Sequence, residues 1–216
     1  MRIFNINDNF QHEILRDLLK RGVWINTGRV QDKAIKGKKE FDSKELLGYS
    51  FMLQGVNNLH VVKKHLTINK DWCESEFRER ISPDLINPGE AWKLRKEVWG
   101  EFLHEGKFSY SYNQRIRFQL EKIIKLLQKN KFTRQAVISI WNPLVDIDKV
   151  GKERTPCSMY YQLLFRNNRL HLIYNMRSCD IFTHYQNDVY LAIKLLNYVS
   201  RRCEMKIGDL IVHIGN

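Results

Sequence analysis

The chain lacks most of what would make a small stapled, fibrous or membrane-bound protein. Its four cysteines, Cys73, Cys157, Cys179 and Cys203, are too few and too scattered for a disulfide framework, and no pair has the CxxC spacing of a zinc site. Reduced thiols are the expectation. No His/Cys/Asp spacing suggests a metal site either, so none is expected, and His171 and His213 read as structural residues on strands. Only four prolines interrupt the chain, Pro83, Pro88, Pro143 and Pro156, each at a plausible element boundary. There is no Pro/Gly/Ser-rich linker, low-complexity tract or internal repeat, so one domain over residues 1–216 is expected. No apolar run approaches the ~20 residues of a membrane span. Met1 to Asn9 carry neither a basic-plus-apolar secretion signal nor an Arg-rich transit sequence. A cytoplasmic location away from membranes is expected.

What the chain does have is enough apolar material to fold. Of 216 residues, 43% are hydrophobic and 12% aromatic, which excludes a disordered tail protein. The net charge of +12 predicts a surface that attracts anions: nucleotides, polyanionic cofactors or nucleic acid. Apolar spacing predicts helices over Phe10 to Arg21, Tyr112 to Lys129 and Asp188 to Arg201. The basic segment Lys33 to Lys39 reads as a solvated loop. Strands are predicted over Glu45 to Leu53, Ala136 to Trp141, Met159 to Phe165, Leu170 to Met176 and Leu210 to Ile214, with Asn167-Asn168 as a hairpin turn. The fold class is therefore α+β, a mixed sheet flanked by helices.

Between two of these strands lies Arg154-Thr155-Pro156-Cys157-Ser158. Cys157 alone reads as a buried small residue. Arg177-Ser178-Cys179-Asp180 follows the next strand and offers guanidinium and hydroxyl donors, so that an anion and a thiolate could share one pocket. This ordered set resembles the thymidylate synthase superfamily. The likeness runs from Thr133-Arg134 through Trp141-Asn142-Pro143, Pro156-Cys157, Gln162 and Arg177-Ser178-x-Asp180 to Gly208-Asp209. It implies a one-carbon transferase using 5,10-methylenetetrahydrofolate, with Cys157 as the nucleophile that adds to C6 of a pyrimidine nucleotide. It further implies Arg177 and Ser178 on the phosphate, Asp180 on the base, Gln162 at the nucleotide, and Arg134 reaching the neighbouring phosphate in a homodimer. The family's proton-handling Glu falls in a Glu-x-x-aromatic pattern, for which Glu74-Ser75-Glu76-Phe77 nominates Glu74; an exposed helix charge is the other reading. For the N-terminal phosphate arginine Arg29 is nominated, with Arg21 and the lysines around Lys38 as alternatives. Trp92 and Trp99 read either as core or as the folate wall.

The choice of base rests on one position. Eleven residues beyond Arg177 the family places an Asn that reads uracil, and this chain has Asp188 there. An amide suits uracil because it accepts from N3-H and donates to O4, whereas a carboxylate accepts from the cytosine amino group. Asp at this position resembles the bacteriophage dCMP hydroxymethylases, implying C5 hydroxymethylation of dCMP or CMP and a phage-encoded source. A one-residue shift would bring Asn187 into that place and imply a thymidylate synthase; methylation of the cytosine nucleotide is a third outcome. Two departures from the family are Gln135 in place of a second Arg and Ser158 in place of the usual His. The chain stops at Gly215-Asn216, ahead of the family's His-x-Tyr ribose segment, so an incomplete nucleotide pocket is expected. The reading from another class is an inactive, basic nucleic-acid-binding relative. No nucleic-acid module accompanies the charge, and a nucleic-acid partner is not expected.

Overall fold

The computed structural model describes residues 1–26, 29–30, 33–34, 39, 42–149 and 153–216. Strand β1 (Arg2–Asn5) leads into helix α1 (Phe10–Arg21), then β2 (Val23–Ile25), β3 (Arg29–Val30), β4 (Lys33–Ala34), β5 (Ser43–Glu45) and β6 (Tyr49–Gln54). Helices α2 (Leu59–His65), α3 (Lys70–Ile81), α4 (Lys96–Trp99) and α5 (Tyr112–Lys129) follow, with β7 (Val137–Ser139) and α6 (Pro143–Asp146) after them. The chain closes with β8 (Ser158–Arg166), β9 (Arg169–Met176), α7 (Tyr185–Arg202) and β10 (Ile207–Ile214). Lys33 to Lys39, expected as a solvated loop, lies mostly outside the described residues, and its first two form β4.

Six strands form one sheet in the order β1-β6-β10-β9-β8-β7. β1 is parallel to β6 and β10 to β9, while the other neighbours are antiparallel, so the sheet is mixed as expected. Alternation fixes the inner face: Leu170, Leu172, Tyr174 and Met176 of β9 are buried beside Leu210, Val212 and Ile214 of β10. Helix α7 packs across that face through Val189, Ala192, Ile193, Leu196 and Val199, and α5 adds Ile116, Leu120, Ile123, Ile124 and Leu127. A capping box starts α5, since Gln114 N–H donates to Ser111 Oγ at 3.2 Å and Ser111 N–H to Gln114 Oε1 at 2.7 Å.

Two expectations are corrected here. The strand expected over Glu45 to Leu53 is broken, because Gly48 takes φ +63° in a turn that only glycine adopts freely and that separates β5 from β6. The last strand is longer than expected and includes Gly208. A Cβ there would lie 2.7 Å from the His171 ring, so any larger residue would push that ring off its place beside β10.

Candidate active site

The β8–β9 hairpin turns through Asn167 and Asn168, both at positive φ, and this sets the register of everything beyond it. Ser158 pairs with Met176, so the two residues outside the ladder, Cys157 and Arg177, meet; Arg177 N–H donates to Cys157 O at 2.8 Å. Ser178 Oγ lies 3.9 Å from Cys157 Sγ. The Arg177 guanidinium leans back on its own rim, donating to Pro156 O at 3.0 Å, Ser178 Oγ at 3.3 Å and Thr155 O at 3.5 Å. No carboxylate among the described residues pairs with it. A mostly enclosed thiol thus sits beside a guanidinium with no anion of its own.

Burial pushes the Cys157 thiol up, and Asp188 adds to that, while Arg177, the Ser178 hydroxyl and Arg154 pull it down. Ser158, where the family usually has His, is fully buried and joins the Tyr112 hydroxyl at 3.0 Å to the Tyr174 hydroxyl at 2.7 Å. Its side chain therefore braces the floor below Cys157.

Asp188 and Asn187, neighbours in the first turn of α7, part company. Asn187 is buried against α3: its Oδ1 accepts from Asn69 N–H at 2.9 Å and from Cys73 Sγ at 3.2 Å. Asp188 lies among Arg80, Glu76, Arg95 and Arg154, and its charge is felt at Cys157. Burial outweighs the arginines and pushes its carboxyl up to about 6.

Helix α3 separates two carboxylates in the same way. Residues two apart on a helix point ~200° apart. Glu74 faces α2 and α7, pairing with Lys63 at 2.7 Å and with Lys194, and accepting from the Tyr190 hydroxyl at 2.6 Å. Burial would raise its carboxyl, but Lys194, Lys63 and Tyr190 together hold it at about 2. That network, in which the nominated Glu74 sits, includes neither Cys157 nor Asp188. Glu76 points the other way and accepts from Arg80 Nε at 2.8 Å; Arg80 is buried and lies 3.7 Å over the Tyr112 ring. The Glu76–Arg80 pair at i,i+4 was the sequence signal that could have found it.

The remaining nominated residues are placed as follows. Asp180 is exposed and ties its own turn, its Oδ1 accepting from Phe182 N–H at 2.9 Å and Thr183 N–H at 3.0 Å. It caps the approach to α7, and no contact with Cys157 accompanies that. Gln162 and Arg134 meet each other: the Gln162 amide donates to Arg134 O at 3.1 Å, and the Arg134 side chain stands in solvent. Arg29 opens β3, and its side chain lies outside the described residues.

An aromatic wall stands against Arg95 and Arg154. Trp72 stacks on Trp99 at 6.5 Å, Trp99 meets the His184 ring at 5.4 Å, and Trp92 meets Phe108 edge-on at 6.2 Å. Trp72 Nε1, Trp92 Nε1 and Arg95 Nη1 are buried donors without an acceptor. Flat apolar faces with unused donors fit a planar, carbonyl-bearing ring.

A thiol, a guanidinium without a carboxylate partner among the described residues, a hydroxyl and a carboxyl of raised pKa gather at one sheet mouth, a set of groups that suits nucleophilic chemistry on an anionic ligand. The comparisons make the class particular: the thymidylate synthase profile matches residues 36–216, and the chain belongs to the thymidylate synthase family. A Methanosarcina barkeri relative, provisionally named a thymidylate synthase, is 30% identical over 172 residues, covering 70% of this chain and 78% of that protein. The thymidylate synthase of Enterobacteria phage T4 is 29% identical over 173 residues, covering 80% of this chain and 55% of that enzyme. Among solved structures, thymidylate synthase A of Bacillus subtilis superposes with a TM-score of 0.72 at 15% identity, over 98% of this chain and 78% of that one. The phage T4 enzyme superposes with a TM-score of 0.68 at 22% identity, over 97% of this chain and 75% of that one. The fold is that of thymidylate synthases. The family transfers one-carbon units to pyrimidine nucleotides and takes them from 5,10-methylenetetrahydrofolate. Among the described residues no helix is long and apolar enough to cross a membrane.

Proposed function

We propose that this chain hydroxymethylates C5 of a cytosine nucleotide, dCMP or CMP. The observation that carries the reading is the split between Asp188 and Asn187: the carboxylate shares the surroundings of Cys157, whereas the amide is committed to Asn69 and Cys73. The cytosine edge offers an amino donor at C4, and an ionised carboxylate can only accept. A carboxyl held near 6 has a second use, because near neutral pH it can deliver its proton to N3 and then accept from N3-H and the amino group together.

The chemistry assigned to the residues is as follows. Arg177 and Ser178 hold the phosphate. The Cys157 thiolate forms a bond to C6, the C5=C6 electron pair moves to C5, and Asp188 protonates N3 as the ring gains electron density. Bound 5,10-methylenetetrahydrofolate supplies a one-carbon unit at the oxidation level of formaldehyde; the Trp72, Trp92 and Trp99 wall with the unpaired Arg95 Nη1 would hold its ring. C5 would bond to that carbon, and Glu76 would take the C5 proton and pass it to the folate nitrogen as the carbon–nitrogen bond breaks, leaving an exocyclic methylene on C5. Glu76 would next take a proton from the water whose oxygen bonds to that methylene, while the electron pair returns to C5=C6, Cys157 leaves as thiolate and Asp188 takes back the N3 proton. Arg134, free in solvent, would serve the phosphate of a second subunit in a homodimer. The alternative, a thymidylate synthase, is favoured by the names of the relatives.

Incubation of the protein with 5,10-methylenetetrahydrofolate and C5-tritiated dCMP, CMP or dUMP tests the reading. Tritium release from a cytosine nucleotide without the absorbance rise of dihydrofolate is expected. Release from dUMP with that rise would establish a thymidylate synthase instead, and release from a cytosine nucleotide with the rise would establish a methyltransferase.

A further inference from the structure

We propose that Arg80 is a positioning residue that holds the Glu76 carboxylate in place for proton transfer, and that the Tyr112 ring is the platform that fixes Arg80. The inference rests on the reading of Glu76 as the proton-transfer group and adds the device that aims it. No segment of the family likeness read from the sequence includes Arg80.

The three glutamates of α3 have separate partners. Glu74 is bound by Lys63, Lys194 and the Tyr190 hydroxyl. Glu79 serves the turn beyond Gly89, its Oε1 accepting from Glu90 N–H at 2.7 Å and Ala91 N–H at 2.8 Å. Glu76 is held from one side only: Arg80 Nε donates to its Oε1 at 2.8 Å, and among the described residues its Oε2 accepts no hydrogen bond. The bond fixes the carboxylate and leaves one oxygen open for a proton. Of the two side chains Arg80 is the more enclosed, 6% exposed against 18% for Glu76. An unheld glutamate samples many rotamers, and a misplacement of ~1 Å at a reacting group costs about a hundredfold in rate.

Arg80 is in turn held by the start of α5. Its guanidinium lies 3.7 Å over the Tyr112 ring, an attraction of cation to aromatic face that works best when both are shielded from water. The Tyr112 hydroxyl bonds Ser158 Oγ at 3.0 Å, and Ser158 Oγ bonds the Tyr174 hydroxyl at 2.7 Å, so the ring is anchored at its far end. Asn113, the next residue, is buried and locks the two helices together. Its amide donates to Glu79 O at 2.8 Å and Ser82 O at 3.1 Å at the end of α3, and its Oδ1 accepts from Ile86 N–H at 2.8 Å. The contacts Glu76–Arg80–Tyr112–Ser158 therefore run from the proton-transfer group to the residue after Cys157.

Stability alone does not account for a guanidinium at this place. Arg80 shares a small internal void with Phe77, Ile116, Leu191 and Leu195, surroundings that suit an apolar side chain. Burying an ion pair there costs desolvation that an apolar residue of similar volume avoids.

The test is a double-mutant cycle read on tritium release from C5, with 5,10-methylenetetrahydrofolate and C5-tritiated dCMP, CMP or dUMP, whichever wild type exchanges fastest. Arg80→Met should lower kcat about tenfold to a hundredfold and leave the nucleotide KM within about threefold. Arg80→Lys keeps the charge without the flat, directional guanidinium and should fall between Arg80→Met and wild type. Adding Arg80→Met to Glu76→Gln should slow release by no more than about twofold beyond Glu76→Gln alone, because an arginine acting through Glu76 has nothing left to position. Losses that multiply would mean that Arg80 only supports the fold, and a kcat in Arg80→Met within about threefold of wild type would overturn the proposal outright. Thermal midpoints verify folding; should Arg80→Met not fold, the cycle is run with Arg80→Lys, for which the same non-additivity is expected. Undiminished release in Glu76→Gln, or no release from any of the nucleotides in wild type, would fault the reading of the site and this proposal with it. A slow Glu76→Gln beside a normal Arg80→Met would fault the arginine alone.

Discussion

Two carboxylates within reach of helix α3 have been driven in opposite directions. Glu74 sits between Lys63, Lys194 and the Tyr190 hydroxyl, and its carboxyl is held at about 2. Asp188 is buried near arginines committed elsewhere, Arg80 to Glu76 and Tyr112, and Arg154 to Trp99, Phe108 and Tyr110; its carboxyl is pushed up to about 6. Burial raises both carboxyls and encloses Asp188 far more fully than Glu74. Added to that is whether the surrounding cations bond to the carboxylate, as Lys63 and Lys194 do to Glu74, or to other groups. A carboxylate with two dedicated ammonium partners is an anchor, permanently charged and of no use as an acid. One poised near neutrality can exchange a proton during turnover.

The sharpest way to break this comparison is to remove Cys157, the proposed nucleophile beside Asp188. Cys157→Ser should abolish C5 hydrogen exchange while leaving nucleotide binding nearly unchanged, since Arg177 and Ser178 remain; retained exchange would refute the assignment. Next in size is the contrast on α3 itself. Glu76→Gln should lower the exchange rate by about a hundredfold or more, the usual scale of a lost proton-transfer group, whereas Glu74→Gln should stay within about threefold. Equal losses would mean that the two faces of α3 are not functionally distinct.

Asp188→Asn tests the raised carboxyl in two ways. Restoring an amide gives the site a donor for O4 of uracil, so the ratio of kcat/KM for cytosine and uracil nucleotides should move about ten- to a hundredfold towards uracil. The sign of the stability effect follows from the shift. A folded-state pKa raised from the ordinary range near 4 to about 6 gives stability that is present below the ordinary value and lost as the pH rises through 6. The variant should therefore melt a few degrees above wild type at pH 8 and show no gain at pH 4, measured by thermal denaturation.

Glu74→Gln should give the mirror image with the smallest effect. A depressed carboxyl contributes stability above the ordinary range and loses it as the pH falls towards 2. The loss at pH 7 should be about 1 kcal/mol after allowance for solvent screening, fading in acid, as read from denaturant midpoints.

Much of this site could be read along the chain where the ligands of one pocket come from a single hairpin. Cys157 and Arg177 are 20 residues apart, yet the Asn167-Asn168 turn and strict strand alternation bring them together, so local rules sufficed. The helices Phe10 to Arg21 and Tyr112 to Lys129 were legible for the same reason, each being an apolar face with its own ends. Glu74 was chosen over Glu76 because a spacing pattern does not state which side of a helix meets which neighbour; α2 and α7 claimed Glu74, and Arg80 turned Glu76 inward. Asp180 likewise had a competing local use, the turn before α7, that the motif does not reveal.

By itself the sequence determined the class of the molecule: the mixed α+β pattern, the Pro-Cys and Arg-Ser-x-Asp segments, and Asp188 rather than Asn at its distance from Arg177. Those are facts of period, turn chemistry and residue type, which act over a few residues. Tertiary structure alone decided which carboxyl stays charged, which arginine is free for an anion and which is held by Trp99, Phe108 and Tyr110. Protonation and charge depend on burial and on every partner within a few ångströms, and those partners arrive from α2, α3, α7 and the Ser109–Tyr110 loop only once the chain has packed.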